Sequence, residues 1–190
     1  MTVRVRPARP SDLEGIVEVY NAYVTATPAT FETTAVSPEG RRPWLEDHRR
    51  GGRHRIFVAE SGPGLLVGWA TTSPFRPRAA YDTTVESSVY CRPGWTGRGI
   101  GSRLYDRLFD AIREEDVERV VAGITLPNPG SVALHRRFGF REVGVFSRVG
   151  RKLGRYWDVA WFERPCRLDG QTRGEPAARA TGPVARAPRR

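Results

Sequence analysis

Lysine is almost missing from this chain: Lys152 stands alone among 31 basic side chains, and arginine supplies the rest. Cysteine occurs twice, at Cys91 and Cys166, both in segments that read as strands. Two cysteines without a close pairing signature exclude a disulfide framework, so reduced thiols are expected. The three histidines, His48, His54 and His135, are scattered without ligand spacing, so no metal is expected. There is no apolar run of about eighteen residues, which excludes a membrane-spanning helix and leaves no membrane partner to expect. No charged-then-apolar leader opens the chain, and the expectation is a cytoplasmic protein.

What is present is arginine and aromatic surface. The net charge is +10 and the isoelectric point near 10.7. The basic residues neither stripe a helix nor alternate with exposed aromatics, and acidic residues are interspersed among them. No nucleic-acid partner is therefore expected; a ligand carrying several phosphates would account for part of the excess. A chain of 190 residues suits one well-buried domain, and five Trp, six Tyr and eight Phe supply large buried areas. From about residue 169 large apolar residues nearly vanish. Residues 169–190 read as a disordered basic tail, because nothing there offsets the entropy of ordering.

The most informative stretch is Val85-Glu86-Ser87-Ser88-Val89-Tyr90-Cys91, followed by Gly97-Arg98-Gly99-Ile100-Gly101. Alternation puts Val85, Ser87, Val89 and Cys91 on one strand face and Glu86, Ser88 and Tyr90 on the other. The glycines then open a helix with Leu104, Leu108 and Ile112 on one side. A strand, a glycine turn and a helix N-terminus can cradle a diphosphate on backbone N–H groups. The spacing is neither the dinucleotide fingerprint nor a Walker loop, and a turn needing glycine for backbone reasons alone would look the same.

Around this core the pattern alternates strands and helices. A strand at Val3–Arg6 precedes a helix from about Asp12 to Tyr23, opened by a Ser11/Glu14 capping box. Ser37-Pro38-Glu39 starts a second helix, which Pro43 in its interior is expected to bend or delay. Arg55–Glu60 and Leu65–Thr72 form a hairpin around Ser61-Gly62-Pro63-Gly64. After the central helix come a strand at Val117–Ile124, a short helix capped by Asn128 or Ser131, and strands at Phe140–Val149 and Tyr156–Arg164. The expected fold class is α/β (mixed α+β): one domain over residues 1–168, a central sheet and helices on both faces.

The spacing Asn128-x-x-Ser131-x-x-x-His135-x-x-x-Gly139-Phe140 resembles the last patterned helix of the GNAT superfamily of acyl-CoA-dependent N-acetyltransferases. The glycine turn is similar to that family's pyrophosphate loop, with Thr96 where Arg or Gln is usual. Pro74-Phe75-Arg76-Pro77-Arg78-Ala79-Ala80-Tyr81, Leu126-Pro127-Asn128 and Gly154-Arg155-Tyr156-Trp157-Asp158 resemble its phosphinothricin and methionine sulfoximine acetyltransferase branch. The likeness spans about Val3 to Cys166. It implies a mostly antiparallel twisted sheet whose central strand splays from its neighbour to admit the pantetheine arm of acetyl-CoA. It also implies a homodimer, to which the Trp157/Trp161 strand could contribute.

Residue by residue, the resemblance implies that Val89, Tyr90, Cys91, Gly97, Arg98, Gly99, Ile100, Gly101, Ser102, Asn128 and Ser131 hold the cofactor. Glu86 is the expected base that frees a substrate amine; an arginine-paired structural carboxylate is its bland alternative. His135 is the expected acid or proton relay, with a structural histidine as its alternative. Arg76 and Arg78, if their segment is extended, share a face that could clamp a carboxylate; Phe31, Tyr81, Ser88 and Tyr90 would complete the small-molecule pocket. The reaction then expected is direct acetylation of the α-amino group of a small amino-acid analogue in a ternary complex. Acetylation of protein N-termini or other amines is the rival, and a non-catalytic acyl-CoA sensor or basic interaction protein the alternative of another class.

Overall fold

The computed structural model describes residues 2–49 and 51–167; the expected tail, 169–190, lies outside the described residues. One sheet is built from β1 (Val3–Pro7), β2 (Ile56–Ser61), β3 (Leu66–Pro74), β4 (Thr84–Cys91), β5 (Arg119–Thr125), β6 (Arg141–Lys152) and β7 (Arg155–Pro165). The strand order is β1-β2-β3-β4-β5-β7-β6. Every neighbouring pair is antiparallel except β4 and β5. The described residues also hold helices α1 (Leu13–Ala26), α2 (Pro38–Arg49), α3 (Ile100–Ile112) and α4 (Pro129–Arg137). The mixed α/β class, the mostly antiparallel sheet and the helices on both faces are thus present.

Each sheet face has its own core. On one, Leu104, Tyr105, Leu108 and Ile112 of α3 are fully buried against Val85, Val120 and Phe162. The i, i+4, i+8 spacing of three of them is what puts them on one stripe. On the other, Ile16, Val17 and Tyr20 of α1 and Leu45 of α2 pack with Val58 and Trp69. β4 lies between, so the alternation of its side chains decides which core each joins: Val85 and Ser87 are buried on the α3 side.

Two local expectations differ from the structure. Ser11 and Glu14 do not cap α1; Pro10–Asp12 form a 3-10 turn instead. There the Asp12 carboxylate accepts the Arg9 N–H at 2.6 Å and both ends of the Arg6 guanidinium at 2.6 and 2.8 Å. A nearly buried, charge-assisted fork outcompetes a hydroxyl cap. Pro43 neither bends nor delays the second helix enough to break it, since α2 runs from Pro38 through Pro43 to Arg49, with Ser37 Oγ accepting the Gly40 N–H at 3.1 Å.

Candidate active site

The site begins where the only parallel pairing among the described strands stops. β4 and β5 are in register at Thr84–Arg119, Val85–Val120 and Glu86–Val121, and no further. Beyond that, β4 stays bonded to β3 and β5 stays bonded to β7. The two strands therefore part like the arms of a fork, and Glu86 is the last paired residue at its vertex. Ser87 Oγ donates to the Val121 carbonyl at 3.4 Å across that vertex. A cleft of about 580 Å³ opens between the arms, lined by Ser87 to Cys91 on one side and Gly123 to Thr125 on the other. Unpaired strand edges facing each other leave backbone donors and acceptors free for an extended ligand.

The cleft runs on to the start of α3. Gly97 and Gly99 both sit at φ 74°, a left-handed conformation that costs glycine little and strains other residues. Gly99 is the N-cap of α3, so the first-turn amides of Ile100, Gly101 and Ser102 have no partner within the helix, and that of Gly101 meets the Cys91 sulfur. Such a turn carries partial positive charge and suits a diphosphate. A Cβ at Gly101 would stand 3.0 Å from Leu134 of α4, so that glycine lets the two helices close on the cleft. Asn128 caps α4, its Oδ1 accepting the Ser131 N–H at 3.1 Å.

Of the residues expected to hold a cofactor, Val89, Tyr90, Cys91, Gly97, Gly99, Ile100, Gly101, Ser102, Asn128 and Ser131 line the cleft. Arg98 does not; its guanidinium stacks on Trp95, 4.9 Å from the ring centre. Burial pushes the Cys91 thiol up to about 11, so it stays protonated and is a poor nucleophile.

Glu86 projects with Ser88 and Tyr90 to the α1–α2 face, as the alternation requires. Burial raises its pKa, and the nearby Arg76 charge partly opposes that rise. Among the described residues it makes no ion pair within 4.0 Å. It is a half-buried carboxylate left free to take a proton. Trp161 of β7 lies opposite Gly123 in register, its ring within 3.5 Å of where a Cβ of Gly123 would be. Its buried indole N–H has no hydrogen-bond partner among the described residues.

His135 differs from expectation. It is 3% exposed, and Nδ1 lies 2.8 Å from the Ser131 carbonyl, which only accepts. Nδ1 therefore carries the hydrogen, and Nε2 accepts from the Tyr105 hydroxyl at 2.9 Å. Burial lowers the imidazole pKa, which keeps it neutral. Both nitrogens are engaged, so the group aimed into the fork is the Tyr105 phenol, 3.4 Å from Ser87 Oγ.

Residues 16–140 match the profile of the Acetyltransferase (GNAT) family. The chain belongs to that family. It is 53% identical over 164 residues to a phosphinothricin N-acetyltransferase of Streptomyces coelicolor, covering 86% of this chain and 96% of the relative. It is 35% identical over 163 residues to an L-methionine sulfoximine/L-methionine sulfone acetyltransferase of Pseudomonas aeruginosa, covering 86% and 94%. The solved phosphinothricin acetyltransferase of Sinorhizobium meliloti, in complex with AcCoA, superposes with a TM-score of 0.82 at 34% identity, covering 87% and 89%.

On the acceptor side this acetyltransferase departs from what its sequence suggests. The segment carrying Arg76 and Arg78 is not extended: it bends from Phe75, and Arg78 caps a 3-10 turn at Ala79–Tyr81. The two guanidiniums do not form the expected shared face. Arg76 stacks on Phe75 at 4.7 Å within reach of the Glu86 charge, and both Arg76 and Arg78 are exposed. Tyr81 packs edge-on against Phe75, and Phe31 sits with its ring against Gly150 of β6; neither lines the cleft, whereas Ser88 and Tyr90 do. Sequence reasoning missed Tyr23, whose hydroxyl donates to the Cys91 carbonyl at 2.6 Å, as well as Tyr105 and Trp161. For Tyr105 a signal existed, since it follows Leu104 on the apolar stripe of α3 as the one member with a polar tip.

Proposed function

We propose that this enzyme uses acetyl-CoA to acetylate the α-amino group of a small amino-acid analogue of the phosphinothricin, methionine sulfoximine or methionine sulfone type. The observation that carries the reading is the fork itself: parted strands, a helix N-terminus at the open end and a free carboxylate at the vertex. The residues fit acetyl-CoA, because the first-turn amides of α3 suit its diphosphate and the strand edges suit its pantetheine amides. When bound, it supplies an electrophilic thioester carbon and a thiol leaving group.

The chain's own residues do the rest. Glu86, with its pKa raised by burial, accepts a proton from the substrate ammonium, directly or through one water. Arg76 stands beside Glu86 and binds the carboxylate one carbon from that amine. The unpaired Trp161 indole N–H is a donor for an acceptor oxygen of the substrate. Tyr105 keeps its proton because burial raises its pKa, and by turning its O–H from His135 Nε2 toward the cleft it offers a hydrogen bond to the departing sulfur. His135 serves as a positioning residue for Tyr105. Attack is direct, since Cys91 is protonated and occupies the wall of the cleft.

A homodimer is part of this reading. β6 and β1 are the two edge strands of the sheet, and on β6 the apolar Val143, Val145, Phe146 and Val149 are exposed. Trp157 and Trp161 lie on β7, an interior strand, so β6 is the better interface. Sedimentation velocity should give twice the chain mass; a monomer at micromolar concentration removes this element alone.

The test of function is thiol release from acetyl-CoA with phosphinothricin, methionine sulfoximine, methionine sulfone, an N-terminal peptide and an aminoglycoside. Turnover with the amino-acid analogues is expected. A response to the peptide alone would move the substrate to protein N-termini, and silence with every amine would leave a sensor.

A further inference from the structure

Five aromatic rings crowd the α1–α2 face beside Glu86: Tyr20, Tyr23, Trp44, Trp69 and Tyr90, with successive centroids 4.8–6.0 Å apart. Into this cluster α2 inserts one cation. The Arg41 guanidinium lies 5.0 Å from the centre of the Tyr20 ring and 4.9 Å from that of Trp44. Among the described residues no carboxylate comes within 4.0 Å of it. The side chain is only partly exposed. Arg6, Arg53, Arg55 and Arg92 each meet an acidic partner at 2.6–2.8 Å, whereas Arg41 meets aromatic rings instead.

Two rings fix the plane of the guanidinium, so its edge N–H groups are preorganised for a planar or tetrahedral oxyanion. The Tyr20 ring that Arg41 covers packs edge-on against Tyr90 at 5.2 Å, and the charges of both Arg41 and Glu86 reach the Tyr90 hydroxyl. His48, packed against Trp44, senses the cation too; its Nε2 is taken by Ser73, which pairs with Glu86 in the β3–β4 register. Arg76 is the cation beside Glu86, whereas Arg41 is the more distant one, reached past Tyr90.

We propose that Arg41 is the specificity-determining receptor for an anionic group at the far end of the acceptor's side chain, such as a carboxylate or phosphinate. The proposal rests on the amino-acid acetyltransferase reading above and deepens it. Arg76 would hold the end of the substrate that reacts, and Arg41 the end that distinguishes it. The same cation repels acceptors with a second ammonium group.

The experiment is steady-state kinetics of the full chain and its Arg41→Met and Arg41→Lys variants. The acceptors are phosphinothricin, whose far group is charged, and methionine sulfone, whose far group is neutral. Arg41→Met should raise the KM for phosphinothricin by about tenfold or more, the usual loss for a charge-assisted contact. The KM for methionine sulfone should change several-fold less, and that for acetyl-CoA should not change. Arg41→Lys, which keeps the charge, should recover part of the phosphinothricin affinity. Equal losses for both acceptors, or no loss for either, would overturn the inference and leave Arg41 as a packing residue. A wild type that acetylates methionine sulfone but not phosphinothricin would also overturn it while leaving the acetyltransferase reading intact. Wild-type silence with both acceptors, by contrast, would remove the substrate class itself.

Discussion

The two halves of the site are made of different materials. The cofactor half is mostly backbone: the edges of β4 and β5, a glycine turn and the first amides of α3. The acceptor half is mostly side chains drawn from distant segments, including Glu86, Arg76, Trp161 and the aromatic cluster around Tyr90. A backbone cradle depends on where glycine allows the chain to turn. A side-chain pocket depends on register and on which arginine remains unpaired. The first tolerates side-chain substitution, as Thr96 in place of Arg or Gln illustrates, while the second should change specificity with each residue.

The difference can be broken one half at a time. The largest effect should come from the vertex: Glu86→Gln should lower kcat by about 100-fold or more while coenzyme A affinity is kept. Near-normal turnover would take the base out of the account. Tyr105→Phe should follow, with kcat down roughly tenfold, since a thiolate is a tolerable leaving group and loses only an assisting proton. Because the substitution also leaves His135 Nε2 without its donor, a melting curve should drop in parallel. A lower melting temperature at unchanged kcat would make Tyr105 structural.

Arg76→Ala should raise the amino-acid KM by roughly fivefold to tenfold and leave that for acetyl-CoA unchanged. It also has a pH signature. The Arg76 charge holds the Glu86 pKa below what burial alone would give, so its loss raises that pKa. The carboxylate must be ionised to act as a base, so the acidic limb of kcat/KM should move to higher pH. An unmoved limb would mean that the two groups are uncoupled. The smallest effect should be the mirror image on the cofactor half. Gly99→Ala, at φ 74°, strains the helix start by about 1 kcal/mol and should raise the acetyl-CoA KM several-fold without touching the amino acid. Equal changes for both ligands would deny that the halves are separable.

The same contrast explains what could be read from the chain alone. Val85 to Cys91 and the α3 stripe follow local periodicity, and the left-handed turn announces itself through Gly97 and Gly99, so the strand, turn and helix that frame the cleft were legible. The parting of β4 from β5 was implied by the family likeness and not by any residue. Arg76 and Arg78 misled because Pro77 sits between them and the segment bends, so spacing by two did not mean one face. Trp161 and Gly123 are 38 positions apart and meet only through the β5–β7 register. Arg41 was invisible for another reason. Among so many arginines, only the structure shows that Arg41 lies against the Tyr20 and Trp44 rings. His135 lies on α4 as read from the sequence, and the structure adds its bonds to the Ser131 carbonyl and the Tyr105 hydroxyl.

The central claim is that the turn before α3 carries the phosphates of a thioester whose arm lies in the fork. Calorimetric titration of the wild-type protein with coenzyme A and, separately, with pantetheine tests it directly. One coenzyme A per chain should bind, and pantetheine should bind at least about tenfold more weakly for want of the charge-assisted contacts to the α3 amides. No binding of coenzyme A, or pantetheine binding equally well, would contradict the account.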